Sequence, residues 1–144
     1  MTSFWNRRQE SRWRWLMVPA VLVAAAAHLP VIRPHLDEAP YMGVLFIVLS
    51  AACVVLASAA ISWDTPMVYA LSVLTCGLAV LGYVATRVVA FPMLSDDVGN
   101  WFEPLGLLSV ASETVVVLAA LSALAGRSVR IGLSPGSVPH PAGR

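Results

Sequence analysis

Phe91-Pro92-Met93-Leu94-Ser95-Asp96-Asp97-Val98-Gly99-Asn100-Trp101-Phe102-Glu103-Pro104 is a polar interruption between two apolar runs, and its reading decides the fold. Arg87 lies in the run before it and Glu113 in the run after it. Charge at membrane depth is costly, so an Arg or a Glu there calls for a partner or a function. The stretch from Arg87 to Glu113 is therefore the first place to look for a site.

Working outward, the whole chain has the composition of a protein dissolved in lipid: 144 residues, 58% hydrophobic and 12% charged, with a mean hydropathy of +0.77. Such values are far from those of a soluble domain. The nine basic residues are all Arg, eight acids offset them, and the formal net charge is +1. No basic stripe of the kind that binds nucleic acid is present. Cys53 and Cys76 each sit inside an apolar run, so they read as small buried hydrophobes rather than as a disulfide framework or a zinc knuckle.

Hydropathy and punctuation predict four spans, at about 15–29, 41–61, 67–91 and 105–125. A helix needs ~20 residues to cross ~30 Å of hydrocarbon. The first span is short by that measure, and Trp13 and Arg14 extend it by snorkelling. Residues 1–14 interleave Arg7, Arg8, Arg12 and Arg14 with Trp5 and Trp13, a mixture suited to the headgroup zone. A cleaved signal peptide would also begin basic and continue apolar, but its removal would take one helix from a balanced set, so the first span reads as part of the mature protein. Pro30 and Pro34 are expected to stop it, leaving 30–40 as a connection. Span two is rich in small residues, including Ser50, Ala51, Ala52, Cys53, Ala57, Ser58, Ala59 and Ala60, with Gly43 near its start. In lipid such residues let helix backbones approach closely. Ser62-Trp63-Asp64-Thr65-Pro66 turns the chain back, and residues 126–144 form a Gly-, Pro- and Ser-rich tail expected to be flexible, with His140 inert.

Spacing then singles out site residues. Cys76, Tyr83 and Arg87 share one helical face of span three, and Glu103, Gly106, Val110, Glu113 and Val117 form one stripe on span four, with Ser109 a turn from Glu113. Arg87 is ~6 Å in from Phe91 and can either snorkel outward or pair. Glu113 is ~12 Å inside Leu105 and must be protonated, paired, hydrated or coordinated. An Arg87–Glu113 pair pinning span three to span four is the plainest expectation. His28, His35 and Glu113, with Glu103 in support, offer imidazole and carboxylate donors of the type that holds copper or zinc. The seven-residue gap between the two histidines is not the spacing that sets both on one helical face.

Arginines near the span ends put both termini in the cytoplasm: four precede span one and two follow span four. The connections at 30–40 and 92–104 then face outward, on the same side as His28, His35, Arg87, Glu103 and Glu113.

Several stretches carry a resemblance: Ala27-His28 with His35 after it, Pro40-Tyr41-Met42-Gly43, Thr86-Arg87, the Phe91-Pro92 turn, and Glu103-Pro104-Leu105-Gly106-Leu107-Leu108 leading to Glu113. Over about residues 20–125 the chain resembles a group of small uncharacterised four-span membrane proteins from actinobacteria. It departs from their pattern at Thr86-Arg87-Val88, where the group often has Ser-Arg-Thr with a following Gly, and at Ser109, where the group often has an Asp; loss of that acid weakens a metal reading. The resemblance implies the topology and the selection of His28, His35, Arg87, Glu103 and Glu113, and brings no established activity.

The expected fold is an all-α integral membrane protein, an antiparallel four-helix bundle of the inner (plasma) membrane. The expected function is that of a binding module or accessory subunit, with Arg87, Glu113, Glu103, Ser109 and Tyr83 as an outward-facing ligand or ion-pair cluster. Its expected partners are the bilayer and a second membrane protein or another copy of the chain. The alternatives are a copper, zinc or redox-cofactor protein using His28, His35 and Glu113, a transporter or proton relay through Glu113 and Arg87, and an enzyme with His28 or Glu113 as general base. No catalytic motif supports the last of these.

Overall fold

The computed structural model describes residues 8 and 10–132, with side chains as far as residue 126. Of the expected N-terminal segment, residues 1–7 and 9 lie outside the described residues; of the expected flexible tail 126–144, residues 126–132 are instead the end of the last helix, and the rest, with His140, lies outside the described residues. What is described is all-helical: α1 Arg14–Glu38, α2 Pro40–Ser62, α3 Pro66–Val88 and α4 Pro104–Gly132, with a short 3-10 turn at Ser95–Asp97. Each of the four is long and apolar enough to cross a membrane. At 1.5 Å per residue, a 23-residue helix such as α2 or α3 is ~35 Å long against ~30 Å of hydrocarbon.

Local chemistry accounts for where these helices begin. α2 and α3 have Pro40 and Pro66 in their first turn, and α4 opens on Pro104. Proline suits that position because its missing N–H would be unpaired there in any case. Glu103 adds a cap to α4, its Oε2 accepting the Gly106 N–H at 2.8 Å. Here a side-chain oxygen satisfies one of the orphan donors of a helix N-terminus.

Pro30 and Pro34 do not stop α1, contrary to the sequence expectation; the helix runs through both and ends at Glu38. The two prolines are one turn apart, so the hydrogen bonds they delete, to the carbonyls of Ala26 and Pro30, lie along one face. Ala26, Pro30 and Pro34 are all exposed, whereas Ala27 and His28 on the other side are buried. Orphaned carbonyls on an outer face near a helix end can be re-satisfied by water and headgroups, which is how membrane helices tolerate proline. The first connection is therefore the single residue Ala39 rather than 30–40. α3 ends earlier than the expected 67–91. Val89 is already extended, at φ −124° and ψ 130°, and Phe91, disfavoured from helical geometry by Pro92, folds back to bridge Leu94.

α1 packs against α2 and α4, α4 also against α3, and α2 and α3 meet more lightly. The core inverts the soluble pattern. Ala24, Ala25, Ala57, Ala60, Ala119, Ala120 and Ala123 are buried, while Leu45, Val48, Val55, Leu74, Leu78, Leu81 and Leu118 face outward. In lipid there is no gain in hiding a leucine, and close backbone approach decides packing instead. Gly43 shows how close: a β-carbon there would lie 2.6 Å from Leu36 on α1. Hydroxyls that face outward are satisfied on their own helices, Ser58 on Val54 at 2.9 Å and Thr114 on Val110 at 2.7 Å, so they put no unpaired polar group into the lipid.

Candidate functional site

Three polar clusters stand out against this apolar frame. The first ties the α3–α4 connection to the end of α3. Arg87, one residue from the end of α3 and buried, places Nη1 2.6 Å from Asp97 Oδ1 and Nη2 3.9 Å from Glu103 Oε2. Its position at a helix C-terminus suits a cation. Its guanidinium also stacks 4.6 Å over the Tyr83 ring, and Tyr83 donates its hydroxyl to the Trp101 carbonyl at 2.9 Å. Backbone groups complete the knot: Gly99 N–H donates to the Arg87 carbonyl at 2.9 Å, and Tyr41 on α2 reaches the Pro92 carbonyl at 2.7 Å. Gly106 is required here, since a β-carbon would come within 2.5 Å of Tyr83 and 2.6 Å of Glu103.

The second cluster lies within the bundle. His28 on α1 is buried and donates Nδ1–H to the Ala24 carbonyl at 2.6 Å. That carbonyl can only accept, so the contact assigns the proton to Nδ1. Nε2 then points across to α4, 3.2 Å from Ser109 Oγ and 3.6 Å from Glu113 Oε1. Ser109 Oγ is in turn 3.1 Å from Glu113 Oε1, and Glu113 is buried. From the other two helices, Cys53 on α2 and Cys76 on α3 lie close to each other and to Glu113; both cysteines are free and buried. All four helices thus converge on one carboxylate. The order of the groups is not that of a hydrolase relay, in which the acid holds the far nitrogen of the imidazole; here a backbone carbonyl holds it, and acid and hydroxyl share the near one.

The third cluster escaped the sequence reading. Asp64, in the turn between α2 and α3, is fully buried and takes donors from three directions. These are Ser11 N–H at 3.0 Å, Arg14 Nη1 at 3.1 Å and the Tyr69 hydroxyl. Arg8 adds a bond to the Ser62 carbonyl at 2.8 Å. Asp64 has φ +46°, a left-handed conformation that Asp tolerates better than most residues. The available signal was an Asp in a three-residue turn with an Arg at the start of the first span, opposite charges that an up-and-down chain brings to one end.

The residues singled out from sequence therefore divide. Arg87, Tyr83 and Glu103 belong to the knot; Ser109 and Glu113 belong to the interior cluster, with His28. Arg87 and Glu113 do not pair: Arg87 turns to the connection, where Asp97 is nearer than any group on the deep part of α4, and Glu113 takes His28 and Ser109. The proposed copper or zinc set of His28, His35 and Glu113 is not assembled either. His35 lies two turns along α1 from His28, bonded to the Val31 carbonyl at 2.8 Å and edge-on to the Phe46 ring, with centroids 4.9 Å apart. Among the described residues no group of three or more His, Cys, Asp or Glu side chains could hold a metal ion.

No family model matches the chain, and no curated protein or solved structure matches it.

Proposed function

We infer that this chain is a multi-pass protein of the plasma membrane, an antiparallel four-helix bundle with both termini cytoplasmic, that acts as a binding module or accessory subunit of a membrane assembly. It is akin to the small actinobacterial four-span proteins it resembles. The observation that carries this reading is the division of the connection 89–103 into two sides. Asp97 and Glu103 turn inward to Arg87 and its backbone is held by Tyr41 and Tyr83, while Met93 and Phe102 stand out, 66% and 84% exposed. A loop held at several points that presents apolar side chains is prepared for contact with little ordering left to do on binding. The partner is another apolar membrane protein surface, a different chain or a second copy of this one.

A photoreactive residue at Phe102, activated in native membranes, tests the reading against the same residue at outward-facing Leu81. A discrete protein adduct at 102, with only lipid captured at 81, is expected; lipid alone at both positions overturns it. Orientation is checked separately. A reporter after Arg144 is expected to be active only as a cytoplasmic fusion and one at Asp97 only outside, and the reverse pattern contradicts the arginine rule.

A further inference from the structure

The interior cluster has a proton count that does not close in one arrangement. Ser109 has one hydroxyl proton and two neighbours placed to receive it, His28 Nε2 at 3.2 Å and Glu113 Oε1 at 3.1 Å. With Nδ1–H fixed on the Ala24 carbonyl, only two assignments satisfy every contact. In one, Glu113 is a carboxylic acid that donates to Ser109, and Ser109 donates to a neutral imidazole. In the other, an imidazolium donates from Nε2 to Ser109, and Ser109 donates to the Glu113 carboxylate. Both carry the same single extra proton and both are neutral overall. Remove that proton and one acceptor is left bare beside a buried anion, a costly state in a medium of low dielectric. Among the described residues no fixed cation offers an alternative. The groups facing Glu113 are His28 from α1, Cys53 from α2, Cys76 from α3 and Ser109 from its own helix, and the Arg87 guanidinium is engaged by Asp97.

Phe46 on α2 adds a boundary. Its ring lies 5.2 Å from the His28 ring and 4.9 Å from the His35 ring, while the two histidines are ~10 Å apart along α1 by the helical rise. His35 is only half-buried and His28 is buried. An aromatic ring thus stands between an imidazole open to the membrane face and one that is closed off.

We propose that His28, Ser109 and Glu113 form an intramembrane proton-binding site, in which the bound proton passes between carboxylate and imidazole through the Ser109 hydroxyl, and that Phe46 seals this site from His35. The step is a relay without electron transfer. The Glu113 O–H bond breaks as its proton goes to Ser109 Oγ, the Ser109 O–H bond breaks as its proton goes to His28 Nε2, and Ser109 ends as it began. The ligand is a proton, and the site stands whether or not the outer loop binds a partner.

Infrared spectroscopy of the full chain in lipid vesicles, moved from H2O to D2O, tests this. A carboxylic C=O band that disappears in Glu113→Gln is expected, with slow deuterium exchange. Phe46→Ala is expected to speed that exchange by about tenfold or more, as opened sites exchange faster. Ser109→Ala is expected to slow it by a similar factor, and Phe46→Leu to leave it near wild type. If Phe46→Ala does not fold, Ser109→Ala decides. A band absent at every pH at which the protein stays folded overturns the site, and exchange unmoved by Ser109→Ala overturns the relay. A sealed site is refuted if exchange in folded Phe46→Ala matches wild type.

Discussion

The Arg87 knot and the His28–Ser109–Glu113 cluster both hold ionisable groups in an apolar protein, yet they solve the problem differently. At the knot, a permanent cation meets two carboxylates, a tyrosine ring and the Asp97 backbone carbonyl at the end of a helix. In the interior, ~15 Å along α4 from Glu103 to Glu113 by the helical rise, no permanent cation is present among the described residues, and the groups are those that can exchange a proton. Where water or headgroups are near, a fixed charge with several partners serves as a fastener. Deep in the bundle, the tolerable arrangement is one that can be neutral. The Asp64 cluster belongs with the fastener, since Arg14, Ser11 and Tyr69 all converge on it.

Removing the cation from the knot should have the largest effect. Arg87→Leu leaves Asp97 and Glu103 facing each other without a counter-charge, and because both are partly exposed the loss should be about 1.5–3 kcal/mol, the range for hydrogen bonds to charged groups. Thermal unfolding in detergent measures the loss, and proteolysis between residues 92 and 102 should rise with it; a loop that stays resistant would show that Tyr41 and Tyr83 alone hold it.

Much of this architecture could be read from the residues. Arg87 and Glu113 announced themselves as charges in apolar runs, and the small residues of α2 marked a packing face, on which Ser50, Cys53, Ala57, Ala59 and Ala60 are buried. What failed was distance between elements. Pro30 and Pro34 resemble helix stops unless one knows that they occupy the outer face, and the same residue type at Pro40, Pro66 and Pro104 begins helices. Arg87 and Glu113 look like partners from sequence because a depth difference of ~6 Å is within reach of a long side chain. The competing acid, Asp97, lay in a connection whose fold depends on Gly99 at φ +81° and Met93 at φ +65°, details that hydropathy does not carry. His28 reads from sequence as a metal ligand, whereas its partners, Ser109 and Glu113, follow from the packing of α1 on α4.

Smaller effects sharpen the contrast. Glu113→Gln keeps a group that can donate to and accept from Ser109 and His28, so it should cost about 1 kcal/mol, near the net value of a single hydrogen bond. Glu113→Leu, which strands both neighbours, should cost more. A Gln variant as unstable as the Leu variant would mean that the charge of Glu113 matters and that the interior is a fastener after all. The thiols at the same centre supply a geometric check: a membrane-permeant thiol oxidant should link Cys53 to Cys76 within one chain, and failure to do so would separate α2 from α3 at that level. Smallest of all is Ser58→Ala, which removes an outward hydroxyl bonded only to its own helix. It should stay within about 0.5 kcal/mol of wild type.

The division into two separate sites is tested most directly by paired double-mutant cycles on unfolding in one detergent, His28→Leu with Glu113→Leu and Arg87→Leu with Glu113→Leu. Groups in direct contact couple by about 0.5–3 kcal/mol and distant ones add to within about 0.5 kcal/mol. The expected result is coupling in the His28 cycle and additivity in the Arg87 cycle. Coupling between Arg87 and Glu113 with none between His28 and Glu113 would contradict the account and restore a single ion pair between α3 and α4.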